Sequence, residues 1–306
     1  MGTDKIKLTI FTPTFNRADT IGRLFESLKK QTCFDFEWLV IDDGSVDETE
    51  RLFEKWCQED LEFNIIYQKV ENGGKHRAFN KGVKIAAGDC FFNVDSDDFL
   101  SNDAVEKILN WIKMIDDEED FIGIAGLMSY ENGKLVGTTF DSEKSYVDAT
   151  MLELERFNIT GDRPLIFKKS ILEKYPFIEF EGENFMSEGD ILQRIAMDGY
   201  KFRWFNEVIY LGEYLPDGLT NQGKSLYQKN PKGYIHVYSL KANYKEPSKS
   251  SFQNFHNRIY YANKLSSFAV ENGISEEFVC EQLRMRKNFL SSIKIIYSIR
   301  TLFIKD

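Results

Sequence analysis

The chain has 306 residues and is 42% hydrophobic, 29% charged and 14% aromatic, ample for one large domain plus an appendage or for two modest domains of an ordinary globular protein. Its formal net charge of −10 argues against a general nucleic-acid binder. Met1 to Lys7 lacks the apolar region of a signal peptide, and no apolar run is long enough for a membrane-spanning helix.

Taken in order, Leu8 to Thr12 is a short apolar, β-branched run that predicts a strand. Ile21, Leu24, Phe25 and Leu28 then recur at helical spacing within Thr20 to Lys30. Trp38 to Ile41 predicts the second strand, and Asp47 to Trp56 a second helix with Asp47 as its N-cap. Ile65 to Tyr67, Lys75 to Ala87 and Cys90 to Val94 continue the alternation as strand, helix and strand. Asn102 to Ile115 is a further helix and Phe121 to Met128 a further strand. Repeated β-α-β units imply an α/β fold with a mostly parallel central sheet and helices on both faces.

The pattern changes after about Ser129. Tyr130 to Val136 contains Asn132-Gly133 and predicts a hairpin. Leu165 to Lys168 returns to the sheet, Phe177 to Ser187 reads as a loop, Asp190 to Asp198 as a helix and Tyr200 to Tyr210 as one or two strands. From Gly223 onward almost every signal is helical. Cys33, Cys57, Cys90 and Cys280 form no CxxC pair; they read as buried reduced thiols, which places the chain in a reducing compartment, most simply the cytoplasm.

In an open parallel sheet, ligands sit outside the carboxyl ends of the strands. The polar motifs of this chain gather at those ends. Thr12-Pro13-Thr14-Phe15-Asn16-Arg17 follows the first strand, and Asp42-Asp43-Gly44-Ser45 the second. Asn72-Gly73-Gly74-Lys75 follows the third, and Asp95-Ser96-Asp97-Asp98 the fourth. Three carboxylates within four positions repel one another, and a hard divalent cation with oxygen ligands is their natural counter-charge. The competing reading is a solvated acidic turn in which Asp97 or Asp98 caps the next helix. Lys75 contacts a base or a phosphate, or is a solvated lysine in the first turn of its helix. His76 is near enough in sequence to touch the same ligand. His236 and His256 read as structural, with a metal contact from His236 as the lesser alternative.

With these four motifs in this order and spacing, and with Asn80-Lys81-Gly82 after the third, the chain resembles the family 2 glycosyltransferases of the GT-A, nucleotide-diphospho-sugar transferase fold. The likeness covers about residues 6 to 215. It implies a GT-A catalytic domain over 1–220, with a nucleotide-binding half of about 1–129 and an acceptor half of about 130–220, followed by a C-terminal helical region over 221–306. The implied activity is a metal-dependent, inverting transfer from a nucleotide-diphosphate sugar, a UDP-sugar first, to a saccharide or lipid-linked saccharide acceptor in bacterial surface polysaccharide synthesis.

The resemblance also implies roles. Thr12, Pro13, Thr14, Asn16, Arg17, Asp42, Asp43, Gly44, Gly74, Lys75, Asp95 and Ser96 form the nucleotide-sugar pocket, with Asp42 accepting from nucleobase or ribose. Asp95 and Asp97 match the DXD pair that holds Mn²⁺ or Mg²⁺, Asp97 as the direct ligand. Glu188 falls where the family has the Asp of its Glu-Asp pair, which carries the base. Gly189 separates Glu188 from Asp190 here, so Asp190 stands as the second candidate. Tyr210 to Thr220 resembles the end of the catalytic domain in capsule- and lipopolysaccharide-type members.

Arg284, Arg286, Lys287, Lys294, Arg300 and Lys305 alternate with large apolar residues such as Leu290, Ile296 and Phe303. Such a helix packs on its own domain or on a second copy in a homodimer, or lies peripherally on the inner face of an anionic membrane. Two other function classes compete with the transferase. A nucleotidyltransferase usually carries a Gly-rich basic loop after its first strand, where this chain has Thr12 to Arg17. A non-catalytic nucleotide-sugar-binding module would keep the fold without its chemistry.

Overall fold

The computed structural model describes residues 7–141, 143–212, 219–247, 249–288 and 290. The chain divides into two compact units, one of Met1–Phe177 with Asp198–Pro216, the other of Ile178–Met197 with Asp217–Asp306.

Among the described residues the first unit is built on a nine-stranded sheet. Its strands are β1 (Leu8–Thr14), β2 (Phe36–Asp42), β3 (Asn64–Lys69), β4 (Cys90–Asn93), β5 (Phe99–Leu100), β6 (Phe121–Ser129), β7 (Val147–Ala149), β8 (Leu165–Lys168) and β9 (Lys201–Leu211). They run in the order β3-β2-β1-β4-β8-β6-β9-β5, with β7 on β9. From β3 to β4 every neighbour is parallel. The crossovers carry α1 (Ile21–Leu28), α2 (Thr49–Trp56) and α3 (Lys75–Ile85); α4 (Ala104–Lys113) and the short α5 (Lys169–Leu172) follow. β8 enters antiparallel to both β4 and β6, and β6 runs parallel to β9.

β1 and β2 are buried along their whole length, which is why they read as near-continuous apolar runs. Alternate residues take opposite faces. Ile10, Trp38, Val40 and Phe92 join a core with Leu24 and Phe25 of α1, Phe53 of α2 and Ile108 of α4. Phe11 and Phe91 point to the other face, where Phe79 of α3 meets them edge-on at 5.9 and 5.2 Å. Helices therefore cover both faces.

α3 approaches β1 closely because Gly82 has no side chain: a Cβ there would lie 2.3 Å from the Phe11 ring. Alanine is the better helix former by about 1 kcal/mol, but Phe11 is fully buried and cannot step aside, and overpacking costs about 1–3 kcal/mol. Gly82→Ala is expected to lower stability by up to about 2 kcal/mol, read as a reduced urea midpoint at unchanged slope; an unchanged or higher midpoint would show that α3 has room to shift.

The second unit is helical among its described residues: α6 (Gly189–Met197), α7 (Leu219–Lys229), α8 (Pro231–Asn243), α9 (Ser251–Glu271) and α10 (Glu276–Gln282). Ile235, Ala262, Leu265, Ala269, Val279 and Leu283 form its core. Ser250 opens α9 with a capping box closed by Gln253.

Several expectations meet a different structure. The segment after the acidic cluster is the two-residue β5, so neither Asp97 nor Asp98 caps a helix; Asp103 precedes α4. The Asn-Gly turn is present, with the Tyr130 N–H donating to the Lys134 carbonyl at 2.9 Å, but it closes on a single bridge, Ser129 to Leu135. Cys90 and Cys280 are buried, whereas Cys33 is half-buried and Cys57 exposed; all are free thiols. Among the described residues no helix is long and apolar enough to cross a membrane. The Glu213–Gly218 part of the Tyr210–Thr220 motif, and the basic helix beyond Leu290, lie outside the described residues.

Candidate active site

Parallel pairing brings the motif loops together. Thr14 at the end of β1 lies opposite Asp42 at the end of β2, and Phe11 opposite Asn93 of β4. The loops are then tied by their own side chains. The Asn16 N–H donates to Ser45 Oγ at 2.8 Å, and Asn16 Oδ1 accepts from the Val46 N–H at 2.8 Å. Asp47 accepts from the Ala18 N–H at 3.0 Å. Asp43 spans to the loop after β3, where its two oxygens accept from the N–H groups of Gly73 and Gly74, each at 2.8 Å. Burial lifts the Asp43 carboxyl above its ordinary range, and these two donors only partly offset that. Gly74 sits at φ 98° immediately before α3, a conformation that favours glycine.

Some predicted nucleotide contacts are committed inside the protein. Thr12 Oγ1 accepts from the Trp38 indole N–H at 3.0 Å. Asp42 is fully buried; Oδ1 accepts from the Ser45 N–H at 2.7 Å, and Oδ2 accepts from the Tyr67 hydroxyl. Burial and then that hydrogen bond raise the Tyr67 hydroxyl well above its usual range. A carboxylate has about four acceptor positions, and both Asp42 oxygens already accept from donors within the protein. Pro13 and Ser96 are buried. His76 is 3% exposed with its ring edge-on to Phe177 at 6.4 Å, which gives it a packing role.

The acidic cluster is where the edge becomes chemically distinctive. One oxygen from each of Asp95, Asp97 and Asp98 lies within 4.8 Å of the others. Asp95 is held by Lys75, whose ammonium is 2.8 and 2.9 Å from its two oxygens, and by the Asn93 amide at 3.2 Å. Desolvation would raise the Asp95 carboxyl, but Lys75, then Asn93 and Arg17, outweigh it and hold the group below the ordinary range. Asp97 shifts the other way: burial first, and the charge of Asp95 second, raise it. Asp98 accepts from the Tyr210 hydroxyl at 2.7 Å, and the same hydroxyl accepts from the Asp95 N–H at 3.1 Å. Nearby, Asn93 Oδ1 and Thr14 Oγ1 are buried with no hydrogen-bond partner. An all-oxygen donor set with excess negative charge fits a hard divalent cation.

Lys75 opens the eleven-residue α3. A helix start with a lysine in its first turn is suited to phosphate, so a cation and a phosphate-type group both have partners on this edge. Reading the sequence named Tyr210 only as a strand end and the start of the Tyr210–Thr220 motif, and gave no role to Tyr67 or Asn93. Only Asn93 carried a signal, as the polar residue closing an otherwise apolar strand.

Glu188 and Asp190 belong to the second unit and are placed differently from each other. Glu188 is exposed one residue ahead of α6. Asp190 is fully buried: Arg194 pairs with both of its oxygens at 2.9 Å, His236 Nε2 lies 2.9 Å from Oδ1, and the Ile178 N–H donates to Oδ2 at 3.1 Å. His236 Nδ1 is 2.8 Å from Gln282 Oε1, so His236 joins α6, α8 and α10. Burial raises the Asp190 carboxyl, but His236 and Arg194 together hold it below the ordinary range. A lowered folded value means that ionised Asp190 stabilises the fold above its unfolded value near 4, and that this stabilisation is lost as pH falls through the folded value. Asp190→Asn is therefore expected to cost about 3–5 kcal/mol at neutral pH, with the gap to the parent chain closing under acid. A parallel loss at every pH would remove the charge from the explanation.

The sheet order and the crossover helices are those of the GT-A fold. Residues 9–145 match the model of Glycosyl transferase family 2. The chain is 27% identical over 171 residues to the poly(ribitol-phosphate) beta-glucosyltransferase of Bacillus spizizenii, covering 55% of this chain and 26% of that one. The chain spans 37%, 30% and 26% of the length of three such relatives. The crystal structure of S. aureus TarS 1-349 in complex with UDP-GlcNAc aligns with a TM-score of 0.61 at 20% identity, over 90% of this chain and 78% of that one. The mannosyltransferase PcManGT of Pyrobaculum calidifontis, in complex with GDP-Man and Mn²⁺, aligns at 0.55 and 15% identity, over 99% and 89%. At these identities the likeness is one of fold.

Proposed function

We propose that this chain transfers a sugar from a nucleotide-diphosphate donor, a UDP-sugar first, to a saccharide or lipid-linked saccharide acceptor in surface polysaccharide synthesis, with inversion and with the help of Mn²⁺ or Mg²⁺. The observation that carries the reading is the pairing, on one sheet edge, of Asp95, Asp97 and Asp98 with Lys75 at the start of α3. The UDP-GlcNAc and Mn²⁺ complexes of its fold relatives, and the poly(ribitol-phosphate) beta-glucosyltransferase among its sequence relatives, support the same reading.

Asp97 and Asp95 would hold the cation, which when bound neutralises charge on the diphosphate. Asp42, with Thr14, Asn16 and Arg17, orients the nucleoside, and Gly74 and Lys75 face its phosphates. Glu188, by its position in sequence before α6, takes the proton from the acceptor hydroxyl as that oxygen bonds to the anomeric carbon. The bond from that carbon to the diphosphate oxygen breaks, and the nucleoside diphosphate leaves with the electron pair. One displacement of this kind inverts the carbon.

A thermal-shift series with UDP, GDP and dTDP, each with and without Mn²⁺, tests the donor. A ligand at 100 times its dissociation constant stabilises by about 2.7 kcal/mol. UDP with Mn²⁺ is expected to give the largest rise in Tm, and UDP alone a smaller one. No rise with any nucleotide in Mn²⁺ refutes the proposal.

A further inference from the structure

Within the helical unit, a cavity of about 120 Å³ opens beside the residues that flank Glu188. Ser187 and Gly189 both line it. Its wall is aromatic: Tyr227, Tyr234 and Tyr238 follow one another with ring centres 5.1 and 4.4 Å apart. Tyr234 is backed by Phe268 at 4.2 Å. Lys241 also lines the cavity, with its ammonium 5.2 Å from the centre of the Tyr238 ring, and Lys264 lies 4.8 Å from the same ring. Among the described residues that line it there is no Asp or Glu, in a chain whose net charge is −10; the buried Glu183 behind Gly233 accepts from the Lys232 and Gly233 N–H groups at 2.6 and 2.8 Å.

Each feature selects a ligand property. A run of tyrosine faces offers broad, rigid, amphipathic contact that matches the C–H faces of a sugar or polyol, and the hydroxyls serve its oxygens. Gln193 has its side-chain nitrogen tied to the Gly189 carbonyl at 2.8 Å, which fixes the amide at the cavity wall. An ammonium with no acid lining the same cavity favours an anionic substituent. We propose that this cavity is a subsite for an anionic saccharide acceptor, a sugar or polyol bearing a phosphate or a carboxylate. The inference rests on the glycosyltransferase reading for the word acceptor, and on the helical unit alone for the binding.

Saturation-transfer NMR on the full chain tests it with three probes: ribitol 5-phosphate, methyl β-D-glucuronide and the neutral methyl β-D-glucoside. One or both anionic probes are expected to receive saturation and to bind more tightly than the neutral one, and whichever binds identifies the anion. Lys241→Ala removes an exposed side chain whose ammonium lies over Tyr238 and is expected to weaken the anionic probes about tenfold, while Lys241→Arg restores them and the glucoside is unchanged. Tyr227→Ala is expected to remove transfer to all three. Absence of saturation with every probe, equal binding of the neutral one, or indifference to Lys241→Ala overturns the proposal. UDP with Mn²⁺ on the same sample separates the two readings: nucleotide binding without sugar binding defeats the subsite alone, and sugar binding without nucleotide binding defeats the transferase.

Discussion

Asp97→Ala is expected to lower sugar transfer by about three orders of magnitude, equivalent to ~4 kcal/mol of lost transition-state stabilisation, and to remove the Mn²⁺-dependent part of UDP binding. The three carboxylates of the cluster are not equivalent. Asp95 is held by Lys75 and Asn93, and Asp98 by Tyr210. Asp97 is the one that burial and the neighbouring Asp95 push upward, so its ionised form costs the empty fold energy and gains most from a cation. The sign of the stability effect follows. A carboxyl raised in the folded state is a liability at neutral pH, so Asp97→Ala is expected to leave Tm without metal unchanged or slightly higher while activity collapses. Transfer rate with Mn²⁺ and Tm in EDTA, measured on one preparation, check both halves. Activity within tenfold of the parent chain would move the metal-binding role away from Asp97.

Glu188→Gln is expected to reduce kcat by about 10²–10⁴-fold, the usual worth of a general base, with the UDP and Mn²⁺ thermal shift retained. Glutamine keeps the size and loses the proton acceptor. Glu188 is exposed, whereas Asp190 is enclosed by Arg194, His236 and the Ile178 N–H. The two acids therefore separate by experiment: Glu188→Gln is predicted to be a stable, inactive chain, and Asp190→Asn an unstable one. A stable Asp190→Asn chain without activity, beside an active Glu188→Gln, would reverse the assignment.

In the parallel half of the sheet, β1, β2 and β4 were readable because they are buried along nearly their whole length, and the helices because each buries one face, whereas the edge strand β3 is largely exposed. Ile21, Leu24, Phe25 and Leu28 announce α1 by spacing alone. The antiparallel additions were harder. β5 and β7 are two and three residues long, too short for any period to register, and they exist because β9 offers them an edge. The motif loops were visible as strings of Asp, Asn and Gly, but not the partners that hold them. Tyr210 joins Asp95 to Asp98 from a strand 112 to 115 residues further on, and no local pattern encodes a contact of that range. His236 was read as structural; what fixes that role is its bond to Asp190, 46 residues away.

The cross-ties among the carboxyl-edge loops have a consequence for protein engineering. Asn16 is stapled to Ser45 and Val46, Asp47 to Ala18, and Asp43 to Gly73 and Gly74. A graft of one loop from a relative with another nucleotide preference would sever ties at both ends and leave backbone donors of the remaining loops without the side chains that now fasten them. The transplantable unit is the whole set, Thr12–Asp19, Asp42–Thr49 and Asn72–Lys75, moved together as a cassette whose fastenings travel with it.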